Sequence, residues 1–123
     1  MKNKLILFFT LIVILVKADE NYYYYVNLTN LKNDKLLVEL IPPTFKESEV
    51  EFCFPAMVPG TYEVYDFGKY ITNFKVTGKN NSSITIKKLD SNRFILSPAN
   101  LIDKISYEVD DTFDKTGNSK VDE

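Results

Sequence analysis

The sequence contains no histidine, and that absence removes much of the familiar catalytic chemistry. Without histidine there is no HExxH zinc site and no Ser–His or Cys–His pair. The 4 glycines are scattered, so no glycine-rich loop is available to cradle a phosphate. Cys53 is the sole cysteine, which excludes an internal disulfide even in an oxidising compartment. Lacking a histidine or a basic pocket, it reads as a small, partly buried apolar side chain rather than a nucleophile. The net charge of -2 shows no basic excess for nucleic acid or for anionic lipid.

The acidic residues do not restore a site. Asp110, Asp111 and Asp114 fail the spacing of a calcium loop, because Thr112 takes the third ligand position and Gly117 comes too late. Glu49, Glu51, Glu63 and Asp66 lie near one another in sequence, but nothing in their spacing makes them converge as a glycosidase pair would. Three glycosylation sequons begin at Asn27, Asn80 and Asn81, and they matter only in a eukaryotic secretory pathway. No catalytic, metal-ligating or cofactor-binding residue is assigned.

What is present begins with a targeting pattern. Lys2 and Lys4 precede the apolar run Leu5 to Val16, and Val16-Lys17-Ala18 offers a cleavage site. The run is well short of the roughly 20 residues that a membrane span needs. Residues 1–18 are therefore expected to be a signal peptide, leaving no stable membrane anchor after cleavage and a secreted or periplasmic product. Residues 19–109 are expected to form one β-domain, and 110–123 an acidic tail, flexible or truncated.

The domain reads as all-β. Tyr22 to Leu28 has strong strand propensity, with tyrosines on both faces suited to a half-buried surface or an interface. Lys35 to Ile41 is apolar on both phases apart from Glu39, as a central strand would be, and Pro42-Pro43 ends it. Period-two alternation recurs in 50–54, 73–77, 83–89, 93–96 and 104–109, with turns at Gly78 to Asn81 and Asp90 to Asn92. About seven short strands separated by turns predict an antiparallel β-sandwich.

The chain is organised around residues 49–74. Val50, Phe52 and Phe54 alternate into a loop that turns at Pro59-Gly60, and one helical turn is expected over Asp66 to Tyr70. Pro55-Ala56-Met57-Val58-Pro59-Gly60-Thr61-Tyr62, followed by Asp66-Phe67-Gly68-Lys69, resembles the N-terminal domain of the glycyl aminopeptidases, metallopeptidase family 61. The resemblance extends from about Tyr25 to Asp114 and rests on the spacing Pro-Ala-x-x-Pro-Gly-x-Tyr with a downstream Asp-Phe. Met57 stands where that family usually has Trp, Tyr65 where it has Arg, and Gly68-Lys69 where it has Ala-Arg.

The resemblance implies a β-rich domain that precedes a zinc-dependent, thermolysin-like catalytic domain. The zinc and the general base would belong to that later domain, so no peptidase activity transfers to a residue of this chain. The expected partner is thus the catalytic domain of a longer chain, with peptide as a further ligand. Pro59, Gly60, Tyr62 and Asp66 are the candidates for a turn that faces that domain or its substrate cleft. A simpler assignment, favoured by the usual roles of these residues, gives Pro59 and Gly60 the turn alone and puts Tyr62 and Phe67 in the core. A free-standing secreted module for peptide or glycan is the alternative function.

Overall fold

Alternating apolar residues need two faces to choose between, and the chain supplies them with two antiparallel sheets. The computed structural model describes residues 21–60 and 63–110. The expected signal peptide, Tyr62 and the tail beyond Asp110 lie outside the described residues. The strands are β1 (Tyr23–Lys32), β2 (Lys35–Ile41), β3 (Val50–Cys53), β4 (Ile71–Gly78), β5 (Thr85–Lys88), β6 (Arg93–Ser97) and β7 (Ile102–Asp110). One sheet has the order β1-β2-β7-β4 and the other β3-β6-β5, and every pairing is antiparallel. No α-helix occurs among the described residues. Short 3-10 turns at Phe67–Tyr70, Lys79–Asn81 and Ala99–Leu101 lead out of the loops.

Local chemistry accounts for the turns. Asn33 and Asp34 both take positive φ, 55° and 53°, which is the twist a two-residue β1–β2 hairpin requires. Between β5 and β6 the Asp90 carboxylate accepts the backbone N–H groups of Asn92 and Arg93, each at 2.9 Å. Its other oxygen accepts Arg93 Nε at 2.7 Å. That guanidinium and those N–H groups hold the Asp90 carboxyl below the usual carboxylate range.

The two sheets share one core. Leu40 of β2, Ile102 and Ile105 of β7 and Leu96 of β6 are almost wholly buried, together with Phe54, Phe94 and Ala99. Aromatic rings bridge the layers. Phe74 of β4 stacks on Phe94 of β6 at 4.5 Å between centroids, and Phe54 meets Tyr107 of β7 edge-on at 5.0 Å. Such pairs add about 0.5–1.5 kcal/mol each beyond the area they bury. As expected, β2 is a central strand, flanked by β1 and β7.

The layers differ in width. Four strands face three, so among the described strands the outermost of the wider sheet has no counterpart in the narrower one. Tyr24 and Val26 pair with Leu40 and Val38 and therefore share their core-facing side. Yet Tyr24 is 58% exposed and Val26 45%, whereas Leu40 and Val38 are buried. The tyrosine run is exposed on both sides of β1 rather than half-buried.

The core ranking is directly measurable. Leu96→Ala is expected to lower unfolding free energy by about 2–5 kcal/mol, since it leaves a cavity between the layers. Leu37→Ala, on the exposed side of β2, should cost less than about 1 kcal/mol. Urea denaturation of the two variants checks the order.

Candidate domain-interface loop

The loop that follows β3 is closed at its neck by the backbone. Ala56 O accepts the N–H groups of Tyr65 and Asp66 at 2.9 and 3.0 Å, and Pro55 O accepts Phe67 N–H at 3.1 Å. The two ends of the loop, at Ala56 and Tyr65, are thereby held together, as in an Ω-loop. Two left-handed residues bend it: Gly60 at φ 94° and Asp66 at φ 49°. Glycine adopts that region without a Cβ penalty, and an Asp tolerates it better than most residues.

Asn92 holds the neck to the sheet. It is only 7% exposed, the one buried polar or charged side chain among the described residues. Its Oδ1 accepts Gly68 N–H at 2.8 Å, and its Nδ2 donates to Asp66 Oδ1 at 2.8 Å. Its backbone carbonyl accepts Phe54 N–H at 2.8 Å. One residue of the β5–β6 turn thus binds both the start and the end of the loop. Gly68 fits closely against it: a Cβ there would collide with the carbonyl oxygen of Ser91. No side chain has room at this position.

The tip has the opposite character. Met57 is 52% exposed and Val64 59%, and Val58, Pro59 and Gly60 are exposed beside them. Tyr65 and Phe67 stack at 5.6 Å on the way back to the sheet, both half-buried. The loop is therefore fixed by polar contacts at its base, and it exposes the apolar side chains of Met57, Val58 and Val64 beyond them. That arrangement suits a surface which meets another apolar surface, and the loop also carries the Glu63 carboxylate, whose hydrogen bond holds the Tyr65 phenol above its ordinary range.

The sequence candidates separate on these terms. Pro59 and Gly60 sit in the exposed turn, and Asp66 sits in the neck as the partner of Asn92. Tyr62 lies outside the described residues. Asp66 is thus brought against Asn92 and Gly68 rather than against Pro59 and Gly60. Asn92 escaped sequence reasoning because it looks like an ordinary turn residue. A signal was available: Asn92, Phe94 and Leu96 fall on one phase, so an amide heads a core-facing row.

Cys53 requires a correction. It is exposed, on the opposite row from Phe52 and Phe54, rather than partly buried. Local desolvation, followed by the charge and hydrogen bond of Glu51, pushes its thiol above the ordinary value. A thiol so raised is a poorer nucleophile at neutral pH. Among the described residues no three His, Cys, Asp or Glu side chains gather as a metal site.

Comparison with known proteins gives two findings. A family model described as the Peptidase M61 N-terminal domain matches residues 23–123. The crystal structure of an aminopeptidase N family protein from Idiomarina loihiensis is similar to this chain, with 23% sequence identity and a TM-score of 0.64. The similarity covers 73% of this chain but 15% of that one, so this chain spans a small part of the aminopeptidase's length. At that identity the likeness is one of fold. A search of curated proteins finds no match.

Two experiments test the loop's chemistry. Asn92→Ala strands Gly68 N–H and the Asp66 carboxylate, and is expected to cost about 2–3 kcal/mol in urea denaturation. Asn92→Asp sets two carboxylates together, so its deficit should shrink as the pH is lowered and their repulsion is relieved. For Cys53, alkylation by iodoacetamide should rise with pH along a curve whose midpoint lies above that of a free thiol. Glu51→Gln should bring that midpoint down.

Proposed function

The chain belongs to the peptidase M61 N-terminal domain family, and from that membership we propose that it is a non-catalytic domain which docks its 57–64 loop on the catalytic portion of a longer peptidase and helps to wall its substrate cleft. The observation that carries this reading is the contrast within the loop. Asn92 and Gly68 fix its base, while Met57, Val58 and Val64 present an apolar tip. A preformed loop loses little conformational entropy on docking, so the burial of its tip is not offset by ordering. Pro59 and Gly60 shape that tip, and Asp66 holds it in place through Asn92.

In this reading the reaction belongs to the partner portion, with its own zinc and base. This domain contributes shape: a wall that restricts which peptide ends enter the cleft. Residues 1–18 serve as an export signal that carries the domain to a secreted or periplasmic setting.

The test is complementation in trans. The remainder of an M61 peptidase, expressed without its own N-terminal domain, is titrated with this chain by calorimetry, and its aminopeptidase kinetics are followed. Binding is expected, together with a change in KM among peptide substrates. Met57→Asp with Val64→Asp should weaken binding about tenfold or more, the scale of a hot spot, at an unchanged melting temperature. Absence of binding by the wild-type chain, or binding indifferent to these substitutions, contradicts the reading.

A further inference from the structure

The three glycosylation sequons differ in what their side chains already do. Asn27 lies in β1 opposite Leu37, and its Oδ1 accepts the N–H and the hydroxyl of Thr29 at 3.0 and 3.1 Å. The hydroxyl that a transfer enzyme would engage is thus held within the strand. The Asn80 sequon depends on Ser82, which is half-buried and donates its hydroxyl to Lys79 O at 2.7 Å. The third, Asn81-Ser82-Ser83, keeps both ends open. Asn81 and Ser83 are exposed, and neither side chain makes a hydrogen bond among the described residues.

The loop that presents this sequon keeps its shape without the asparagine side chains. It joins β4 to β5 through the 3-10 turn Lys79–Asn81. Ser82 N–H donates to Lys79 O at 3.0 Å, and Lys79 Nζ donates to Thr44 Oγ1 at 2.9 Å. A Cβ at Gly78 would collide with the carbonyl oxygen of Ser82, so the two ends of the loop are close-packed. Asn80 and Asn81 contribute backbone: both take positive φ, 52° and 59°, which asparagine tolerates better than most residues. Ser82 then returns the chain to an extended course. A sugar in place of one hydrogen on Asn81 Nδ2 therefore breaks no hydrogen bond of the described fold. The loop also lies at the other end of β4 from the neck. Roughly 20–25 Å of extended chain separates Gly78 from Ile71 beside the neck, so a glycan there leaves the 57–64 loop uncovered.

We propose that Asn81 carries an N-linked glycan, added in a eukaryotic secretory pathway from a polyprenyl-diphosphate-linked oligosaccharide. Asn81 Nδ2 attacks the anomeric carbon of the donor sugar. The C–N bond forms as the C–O bond to the diphosphate breaks, and the polyprenyl diphosphate leaves with the bonding electrons. Nδ2 gives up one proton in the same transfer. The Ser83 hydroxyl is the group by which the transfer enzyme recognises the acceptor, and it is open in the folded chain. The inference rests on the export reading of residues 1–18 given above, since only an exported chain meets this donor.

Expression of the full chain in cultured human cells tests this, once with its own first residues and once behind an established export signal. Peptide-N-glycosidase converts a modified asparagine to aspartate, and peptide mass mapping against the untreated chain locates it. Aspartate is expected at 81, with asparagine kept at 80. Ser83→Ala should abolish the modification at 81. Ser82→Ala, which removes only the Asn80 sequon, should leave it unchanged. An unmodified Asn81 behind the established signal, modification of Asn80 in its place, or modification that survives Ser83→Ala overturns the proposal. A chain modified at Asn81 behind the established signal, but kept in the cell by its own N-terminus, supports the glycan and overturns the export reading alone. Should a variant fail to be secreted, the map of the wild-type chain decides.

Discussion

A single buried amide ties the loop after β3 to the fold. Asn92 is buried, so its carboxamide must find partners or destabilise the chain. It finds them in Gly68 N–H and the Asp66 carboxylate, while its backbone carbonyl takes Phe54 N–H. The exit of β3, the return of the loop and the β5–β6 turn are therefore one hydrogen-bonded unit. Left-handed Asp66 and the absent Cβ at Gly68 follow from that requirement, because each lets the backbone approach the amide. An apolar residue at 92 would fill the space but leave the Asp66 carboxylate and the Gly68 N–H unanswered. The loop's apolar tip can be held out to solvent because its base is fixed in this way.

The second constraint is the mismatch between four strands and three. A β-layer buries only what the opposite layer covers, so Leu40 and Ile105 are core while Tyr24 and Val26, on the same face, are not. The chain thus exposes apolar surface in two places, the loop tip and the β1 edge. They differ in kind. The first lies on a loop whose base is pinned by hydrogen bonds, the second at the margin of the four-stranded sheet.

Much of this was legible in the residues, and the losses have physical causes. Period-two alternation located most of the strands, and Gly-Lys-Asn-Asn and Asp-Ser-Asn located turns, because these depend on neighbours in sequence. The single helical turn near Gly68 and the central position of β2 were also readable. The phase of Cys53 was right, but its exposure was not, since which row is covered depends on the opposite sheet. The tyrosines of β1 posed the same difficulty: propensity made the strand, and only the width of the facing layer left both its sides open. The role of Asn92 arises from contacts 24 and 26 residues away in the chain. Local pattern made it a turn residue. Its phase with Phe94 and Leu96 was the one clue that it faced inward.

The central claim is that the loop is held in its docking shape before any partner arrives. Amide hydrogen exchange of the chain alone tests it most directly. The account predicts slow exchange at Phe54, Phe67 and Gly68, whose N–H groups close the neck, and fast exchange at the tip. Neck amides that exchange as fast as those of the tip would mean that Asn92 does not fix the loop, and would contradict the account.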